Sequence, residues 1–165
     1  MRKARVRSFR PIAGRNARIL ILGSMPGRAS LAAGQYYAHR QNAFWRIVCR
    51  LLGIDPASPY EARVRALRAS RIAVWDVLHS CVRPGSLDSS IEEEAANDFN
   101  AFFGRHPGIA QVFFNGAKAE ASFRRHVLAG IRVQLRYKRL PSTSPAHASL
   151  SFAHKLKAWR AILRG

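Results

Sequence analysis

The stretch RILILGSMPG, residues 18–27, decides the fold of this chain. Its first half is a short apolar run that ends in glycine, a pattern typical of a strand buried on both faces of a sheet. Its second half is a polar turn that has neither the GxGxxG spacing of a dinucleotide site nor the Gly-Lys-Ser/Thr ending of a phosphate-binding loop. The stretch therefore predicts a central strand followed by a turn whose backbone comes close to a ligand.

Two more apolar runs, over residues 72–77 and 111–115, have the length and the boundaries of strands, and a fourth strand is predicted over residues 132–140, where Val133, Leu135 and Tyr137 fall on one side. The intervening and final segments predict helices over residues 44–52, 60–70, 90–105, 117–128 and 152–163, the third with an acidic first turn. Strands that alternate with helices indicate an α/β fold. We expect a three-layer α/β/α sandwich around a short, mainly parallel four-stranded sheet.

The length of the chain predicts one domain over residues 1–165, in which residues 1–17 are a basic, irregular lead-in. Four polar segments follow the carboxyl ends of predicted strands: 23–40, 79–88, 115–116 and 141–149. Ligands of an open α/β sheet bind at that edge. We therefore expect these four segments to form the functional site.

The charge balance points to a polyanionic partner. The chain has 28 Lys and Arg, 23 of them Arg, against nine Asp and Glu, and its net charge is +19. The planar guanidinium of arginine suits pairing with phosphate, and a field of this sign favours nucleic acid. The alternative is a genome composition that encodes arginine wherever a surface cation is acceptable.

Several classes are disfavoured by features that the sequence lacks. It has no run of about 20 apolar residues that could span a membrane, and no secretory signal. Its two cysteines, Cys49 and Cys81, are typical of buried thiols in a reducing compartment. No CxxC or HxxxH cluster favours a zinc site. We expect a cytoplasmic protein without a metal and without a membrane partner.

Two adjacent tyrosines in the first polar segment, Tyr36 and Tyr37, can offer a stacking face to a nucleobase. Asn42 follows them, where it can cap the helix over residues 44–52 or serve the site. We expect His39, which lies between them, to have no catalytic duty.

Asn115 ends an apolar strand, and its amide both donates and accepts hydrogen bonds. It can therefore read the Watson–Crick edge of a base or cap the next helix. The segment 141–149 supplies hydroxyl and N–H groups that suit a phosphate clamp, and its composition equally suits an ordinary Ser/Pro loop. Neither a Ser-His-Asp arrangement nor a pair of catalytic carboxylates is evident from the spacing.

Together and in this order, the segments resemble the uracil-DNA glycosylase superfamily. GSMPG at 23–27 is similar to the GINPG motif of mismatch-specific and thymine-DNA glycosylases. Tyr37 with NAFW at 42–45 is similar to the Tyr and the Asn-x-Phe-Trp of these relatives, and PSTSPAHAS at 141–149 resembles their DNA-intercalation loop. With SCVRPGSLDSSI at 80–91 and FFNGAKA at 113–119, the chain looks most like the hypoxanthine-DNA glycosylases, or family 6, over residues 18–159.

The chain departs from the pattern of the superfamily or of its hypoxanthine branch in four places. Met25 stands where GINPG has the asparagine that positions water, and the strand-one aspartate of the main uracil-DNA glycosylases is missing. Ser142 stands near their second-motif histidine. The hypoxanthine branch shares these absences, and the resemblance implies that Asn42 positions the water instead. His147 stands where asparagine is expected in that branch.

The resemblance implies a monofunctional DNA glycosylase of base excision repair that needs no cofactor. It would hydrolyse the N-glycosidic bond of deaminated bases that are flipped out of DNA, and hypoxanthine would be its first substrate. The motifs contain no lysine placed to form a Schiff base, so no lyase activity is expected. We expect a monomer in a bacterium or archaeon, with a DNA wedge at 146–148. The base-binding residues would be Tyr37, which stacks on the base, Asn115, Gly23, Ser24, Met25, Pro26 and Tyr36. The DNA-binding residues would be Gly27, Gly116, Lys118, Ser142, Thr143, Ser144, Pro145, Ala146 and His147.

Three alternatives remain open at this point. The same fold can prefer uracil, because the shape of the pocket decides between a purine and a pyrimidine. A non-catalytic nucleic-acid-binding domain would bind DNA with a steep salt dependence and release no base. A hydrolase of free nucleosides or nucleotides would not need a net charge of +19.

Overall fold

The computed structural model describes residues 4–165, so the prediction for residues 1–3 lies outside the described part. The strands, in chain order, are β1 (Arg5–Arg7), β2 (Ile19–Gly23), β3 (Ile72–Asp76), β4 (Leu78–Val82), β5 (Glu92–Ala96), β6 (Gln111–Asn115) and β7 (Arg136–Leu140). The α-helices are α1 (Arg28–Ala33), α2 (Phe44–Leu52), α3 (Tyr60–Ala69), α4 (Phe99–Arg105), α5 (Ala117–His126) and α6 (Phe152–Trp159).

Four strands form the central sheet in the order β3-β2-β6-β7, and each neighbouring pair is parallel. β2 lies inside this sheet with all of its residues buried. Ile19 and Ile21 join the apolar cluster on one face, which α2, α3 and α6 cover. Leu20 and Leu22 join the cluster on the other face, which α4 and α5 cover. The predicted three-layer α/β/α sandwich is confirmed.

A second, antiparallel sheet of β1, β4 and β5 was not predicted. Three predictions are therefore wrong: residues 1–17 include a strand, the segment 79–88 begins within a strand, and the helix over 90–105 is β5 followed by the shorter α4. The acidic residues of β5 have a helical composition, but pairing with β4 overrides that preference. The helix starts only after Asp98, whose carboxylate accepts a hydrogen bond from the N–H of Ala101 at 3.1 Å.

The other differences concern the extent of single elements. The long loop predicted over residues 24–40 contains the short helix α1, which ends at Gly34. The strand predicted from residue 132 starts at Arg136, and the last helix changes to a 3₁₀ turn over Arg160–Leu163. Cys49 and Cys81 are free and buried, as predicted. Of the helices within residues 4–165, none has the length and apolar character needed to cross a membrane.

Glu94 connects the second sheet to α5. Its carboxylate forms an ion pair with Lys118, lies 2.7 Å from Nε2 of His126, and accepts a hydrogen bond from the hydroxyl of Ser122 at 2.8 Å. Burial alone would raise the pKa of Glu94, but the hydrogen bonds from Lys118, His126 and Ser122 outweigh it and lower that pKa to about 2. A carboxylate held in this way stabilises the folded state as long as it is ionised.

We expect Glu94→Gln to lower the free energy of unfolding at pH 7 by about 1–3 kcal/mol, because buried donors lose a charged acceptor. The control is Glu93→Gln, since the Glu93 side chain is 68% exposed and that of Glu94 is 8% exposed. The native pKa lies below the ordinary value of 4.5, so this contribution is present above pH 4.5 and is lost as the pH falls toward 2. Chemical denaturation at pH 7 and pH 3 measures both effects. Equal losses in the two variants at pH 7 would contradict the assignment.

Candidate active site

A cavity of about 380 Å³ opens at the carboxyl edge of the central sheet, within the range of ~300–1,000 Å³ typical of small-molecule sites. All four predicted segments contribute to its lining. The sequence-predicted residues that line it are Gly23, Ser24, Met25, Pro26, Gly27, Tyr36, Tyr37, Asn42, Asn115, Ser142, Thr143, Ser144, Pro145 and Ala146. Gly116, Lys118 and His147 do not line it.

Gly23 ends β2 at the floor of the cavity, opposite Asp76 in the register of the sheet. A Cβ atom at this position would lie 2.6 Å from Oδ1 of Asp76 and 2.9 Å from the hydroxyl of Tyr37. Both distances are too short for a real side chain, so glycine is required here. Because Gly23 has no side chain, the carboxylate of Asp76 and the hydroxyl of Tyr37 can both come close to its backbone.

Tyr37 has the geometry of a stacking residue. Its φ angle of 55° is uncommon for a residue with a side chain, and its ring stacks on Phe44 with the centroids 4.0 Å apart. The hydroxyl is buried near the Asn115 side chain but makes no hydrogen bond of good geometry. Burial, together with the negative charge of Asp76, raises the pKa of Tyr37 above its ordinary value.

Tyr36 does not present the stacking face that was predicted for it. Its ring is buried in the core and packs edge-on against Phe9. Its hydroxyl donates a hydrogen bond to the carbonyl of Arg10 at 2.7 Å. Although Tyr36 forms part of the wall, only Tyr37 has the placement for stacking on a base.

Asn42 lies at the rim, two residues before the start of α2. Its Oδ1 accepts a hydrogen bond from the N–H of Phe44 at 2.9 Å, which fixes the orientation of the amide. Asn42 is not the cap of α2, because Ala43 holds that position without a side-chain hydrogen bond; the Asn42 amide accepts from the first N–H of the helix from one residue further out. This hydrogen bond does not compete with a role in the site, because an amide oxygen has a second lone pair and the NH₂ group has two donors.

Asn115 joins the end of β6 to the loop over residues 141–149. Its Nδ2 donates to Oγ1 of Thr143, and its Oδ1 accepts from the N–H of Thr143, both at 2.9 Å. It does not cap α5, because Gly116 holds that position. Gly116 has a φ of 93°, and a Cβ there would lie 2.9 Å from Cβ of Ser142. Close approach of the loop to β6 therefore requires glycine.

The loop over residues 141–149 is held by local and tertiary hydrogen bonds. Oγ of Ser142 accepts from the N–H of Ser144 at 3.2 Å, and Oγ of Ser144 accepts from the N–H of Ala146 at 3.3 Å. The carbonyl of Thr143 accepts from the N–H of Ala43, beside Asn42. The carbonyl of His147 accepts from Nζ of Lys155 at 2.7 Å. The loop is thus a formed wall of the cavity rather than a free segment.

Lys118 was predicted to contact DNA, but the structure engages it elsewhere. Its ammonium group pairs with Glu94 of the second sheet, and Lys118 does not itself line the cavity, although its charge reaches Asp88, which does. A phosphate would therefore compete with a carboxylate already in place. Lys118 thus contributes to the stability of the fold, and its contact with DNA stays a prediction.

Two carboxylates line the cavity, although the spacing did not suggest a pair. Asp76, at the end of β3, is only 3% exposed, and its Oδ2 has no hydrogen-bond partner. Asp88 accepts a hydrogen bond from Oγ of Ser24 at 2.7 Å. Burial, and then the negative charge of Asp88, raises the pKa of Asp76 to about 7, although Arg83 opposes the shift.

The signal that identified Asn115 could also have identified Asp76, since each is a polar residue that ends a buried strand. The strand was predicted to continue to residue 77, which placed Asp76 inside it. Asp88 lies in the segment 79–88, which was expected to contribute to the site, but no residue of that segment was singled out. Ser86, Leu87 and Arg83 were missed for a similar reason, because a loop of this composition has no pattern that tells which side chains turn inward.

Arg83 holds the loop that carries Asp88 against the first motif. Its side chain donates to the carbonyls of Pro26 and Gly85, the second at 2.6 Å. The N–H of Arg28 donates to Oγ of Ser86 at 2.8 Å. These bonds fix one rim of the cavity. Within residues 4–165, no group of three His, Cys, Asp or Glu side chains is arranged to hold a metal ion.

Comparisons with known proteins agree on one family. Residues 11–163 match the family model of the Uracil DNA glycosylase superfamily. A hypoxanthine DNA glycosylase of Methanosarcina barkeri is 39% identical over 67% of this chain and 71% of its own length. Another, of Methanosarcina acetivorans, is 35% identical over 96% of this chain and 98% of its own.

A solved structure gives the same result for the fold. The solution NMR structure of a candidate uracil DNA glycosylase from Methanosarcina acetivorans superimposes with a TM-score of 0.77 at 33% identity. The match covers 96% of this chain and 99% of that one. With a family match over nearly the whole length, the chain belongs to the uracil DNA glycosylase superfamily.

Proposed function

We propose that this chain is a monofunctional DNA glycosylase that removes deaminated bases from DNA, with hypoxanthine as its first substrate. The observation that carries the proposal is the floor of the cavity. There Tyr37 and Asp76 both approach Gly23, and the hydroxyl of Tyr37 and Oδ2 of Asp76 are buried without hydrogen-bond partners. Buried polar atoms normally have partners, so this pair favours a ligand that supplies them.

A nucleotide that rotates out of the duplex stays attached to its sugar, so its base enters a pocket with the far edge first. The deepest groups therefore meet the hydrogen-bonding edge, and groups at the rim meet the glycosidic bond. Asp76 lies at the floor and Asn42 at the rim, which fits reading of the base by the first and assistance of bond cleavage by the second.

The carboxylate of Asp76 fits the chemistry that deaminated bases share. Hypoxanthine and uracil carry a ring N–H next to a carbonyl, whereas adenine and cytosine present a bare ring nitrogen there. An ionised carboxylate only accepts hydrogen bonds, so it favours the N–H and opposes the bare nitrogen. Asn115 keeps one amide hydrogen and one lone pair beyond its bonds to Thr143, and these can serve the neighbouring groups of the base. Tyr37 would stack on the ring.

The reaction breaks the bond between the base nitrogen and the anomeric carbon. The electron pair of that bond leaves with the base, the oxygen of a water molecule bonds to the sugar carbon, and the proton that the water gives up ends on the departing base. Asn42 would hold this water through its amide, whose orientation is fixed by the N–H of Phe44. An amide is a poor base, so its contribution is placement of the water rather than removal of its proton.

The DNA would lie across the rim formed by Gly27 and the loop 142–147. Hydroxyl and N–H groups of Ser142 and Ser144 suit phosphate oxygens, and the net charge of +19 supplies the long-range attraction. We propose that the protein acts as a monomer and in the cytoplasm of a bacterium or archaeon, where the DNA is. Its binding partner is DNA that contains a deaminated base.

We expect the protein to release hypoxanthine from an oligonucleotide with one deoxyinosine, in EDTA, with alkali-dependent strand cleavage as the readout. Asn42→Ala should lower the single-turnover rate by about 100-fold or more, since placement of the attacking water is lost. The control is Gln41→Ala, a neighbouring exposed amide that does not line the cavity.

Oligonucleotides with deoxyuridine or deoxyxanthosine separate the remaining substrates. Cleavage confined to deoxyuridine would keep the mechanism and change the first substrate. Tight DNA binding with no base released from any lesion would contradict catalysis and support a binding domain. Release from free nucleosides alone would favour a nucleoside hydrolase.

We expect kcat/KM for deoxyinosine to rise with pH through about 7, because the Asp76 pKa of about 7 makes the carboxylate available as an acceptor only above that pH. Asp76→Asn should remove this step and lower the upper plateau by about 10-fold, as a hydrogen bond to a charged group is lost. Asp55→Asn, an exposed aspartate outside the cavity, is the matched control. A pH step that persists in Asp76→Asn would assign it to another group.

The lining of the cavity contains no lysine among the described residues, so no amine is present there to form a Schiff base with the sugar. We expect no covalent adduct with deoxyinosine-containing DNA when sodium borohydride is added during turnover. A trapped adduct would show lyase chemistry, and its absence in Lys118→Ala would then identify the amine.

A further inference from the structure

Leu87 is a large apolar side chain held at the rim of the cavity and facing solvent. It is 55% exposed and lines the cavity. The other large hydrophobic residues that are exposed in the described part of the chain, Val133, Leu150 and Leu163, do not line it. A single exposed leucine is ordinary on a protein surface. Leu87 differs from these residues because it lies beside the proposed site for an extruded base.

The residues on both sides of Leu87 are anchored to the first motif. Oγ of Ser86 accepts from the N–H of Arg28 at 2.8 Å, and Oδ1 of Asp88 accepts from Oγ of Ser24 at 2.7 Å. Arg83 adds its bonds to Pro26 and Gly85, and a 3₁₀ turn begins at Asp88. The backbone at Leu87 is thus fixed from both directions. The Leu87 side chain therefore projects into solvent from a backbone that is held in place.

The loop over residues 141–149 lacks an equivalent side chain. The wedge was expected at 146–148, but Ala146 and Ala148 carry only methyl groups, and His147 lies outside the lining of the cavity. A base that leaves a duplex opens a gap between its neighbours. Proteins that separate base steps commonly fill such gaps with apolar side chains such as leucine. The two rims therefore differ in chemistry: one is polar and suits phosphate, and the other carries the bulky apolar group.

We propose that Leu87 is the wedge that enters the base stack of the duplex when the damaged nucleotide rotates into the cavity. The proposal rests on the proposed glycosylase function and adds the residue that keeps the base out of the helix. The loop between β4 and β5 delivers it, so the second sheet contributes directly to handling of the DNA. Leu87 does not contact the reacting atoms, and it acts on the equilibrium between the stacked and the extruded base.

The test compares Leu87→Ala with Leu150→Ala, a leucine that is 39% exposed and does not line the cavity. Single-turnover rates are measured on deoxyinosine in a duplex and in the same oligonucleotide without its complement. We expect Leu87→Ala to lower the duplex rate by about 10- to 100-fold, the range that corresponds to burial of one leucine side chain. The single-strand rate should stay within about 2-fold, because an unpaired base needs little help to leave its stack. Leu150→Ala should change neither rate.

A duplex with a pyrene nucleotide opposite deoxyinosine provides the rescue. The large aromatic group occupies the space of the pair and forces the base outward, so it should restore the rate of Leu87→Ala toward that of the wild type. Equal losses on duplex and single strand would show that Leu87 contacts the base and would overturn the wedge. So would unchanged rates in Leu87→Ala, or a duplex-specific loss in His147→Ala instead.

A second readout does not depend on catalysis. 2-Aminopurine next to the deoxyinosine fluoresces more strongly when it loses its stacking neighbour. Binding of the wild type to this duplex should raise the fluorescence, and binding of Leu87→Ala at saturating protein should not. If the wild type released no base, the proposed function would fail while this signal still decided the role of Leu87. If the wild type released base and both proteins gave the same signal, only the wedge would fail.

Discussion

Parallel pairing of β2 with a strand on each side is the constraint on which the molecule depends. Pairing in register brings the last residues of these strands to one edge, where Gly23 lies opposite Asp76 and close to Asn115. β2 is buried on both faces, so a shift of register by one residue would move Leu20 and Ile21 into the opposite apolar clusters, whose packing does not fit them. The same apolar packing that holds the sheet therefore holds the polar groups of the site in place.

Three features of the site lower the stability of the folded state, and packing of the apolar clusters on the two faces of the central sheet offsets this loss. Asp76 is buried without a full set of partners, the hydroxyl of Tyr37 is buried beside it, and the backbone of Tyr37 has a positive φ. Each feature disfavours the folded state when no ligand is bound. Such groups persist where the surrounding packing determines them, and here Phe44 and the strand ends do so. Local destabilisation at one edge of a well-packed sheet is typical of a site that is formed before its substrate arrives.

Elements could be predicted from the sequence where burial produces a regular pattern of apolar residues, and not where it produces none. The parallel strands β2, β3 and β6 are largely continuous apolar runs, and apolar residues alternate with polar ones before and within β7, so all four and the edge at which they end could be predicted. β1 and β5 are short, polar and paired through contacts distant in sequence, and a run of three glutamates resembles the first turn of a helix. Asp76 could have been found by the rule that found Asn115. The roles of Ser86, Leu87 and Asp88 depend on how Arg83 folds their loop, which no local pattern shows.

The hydrogen bonds between the loop 83–88 and the first motif have a mechanical consequence. A rim fastened in this way has little freedom to adapt, so a mismatch in shape between protein and duplex must be relieved by the duplex. The work of bending and unpairing then depends on the sequence around the lesion and on the opposing base. Sites in stiff, strongly paired DNA would be passed over more often than identical lesions in compliant DNA. The rate of repair would then vary along a genome with the local stiffness of the DNA as well as with the chemistry of the damaged base.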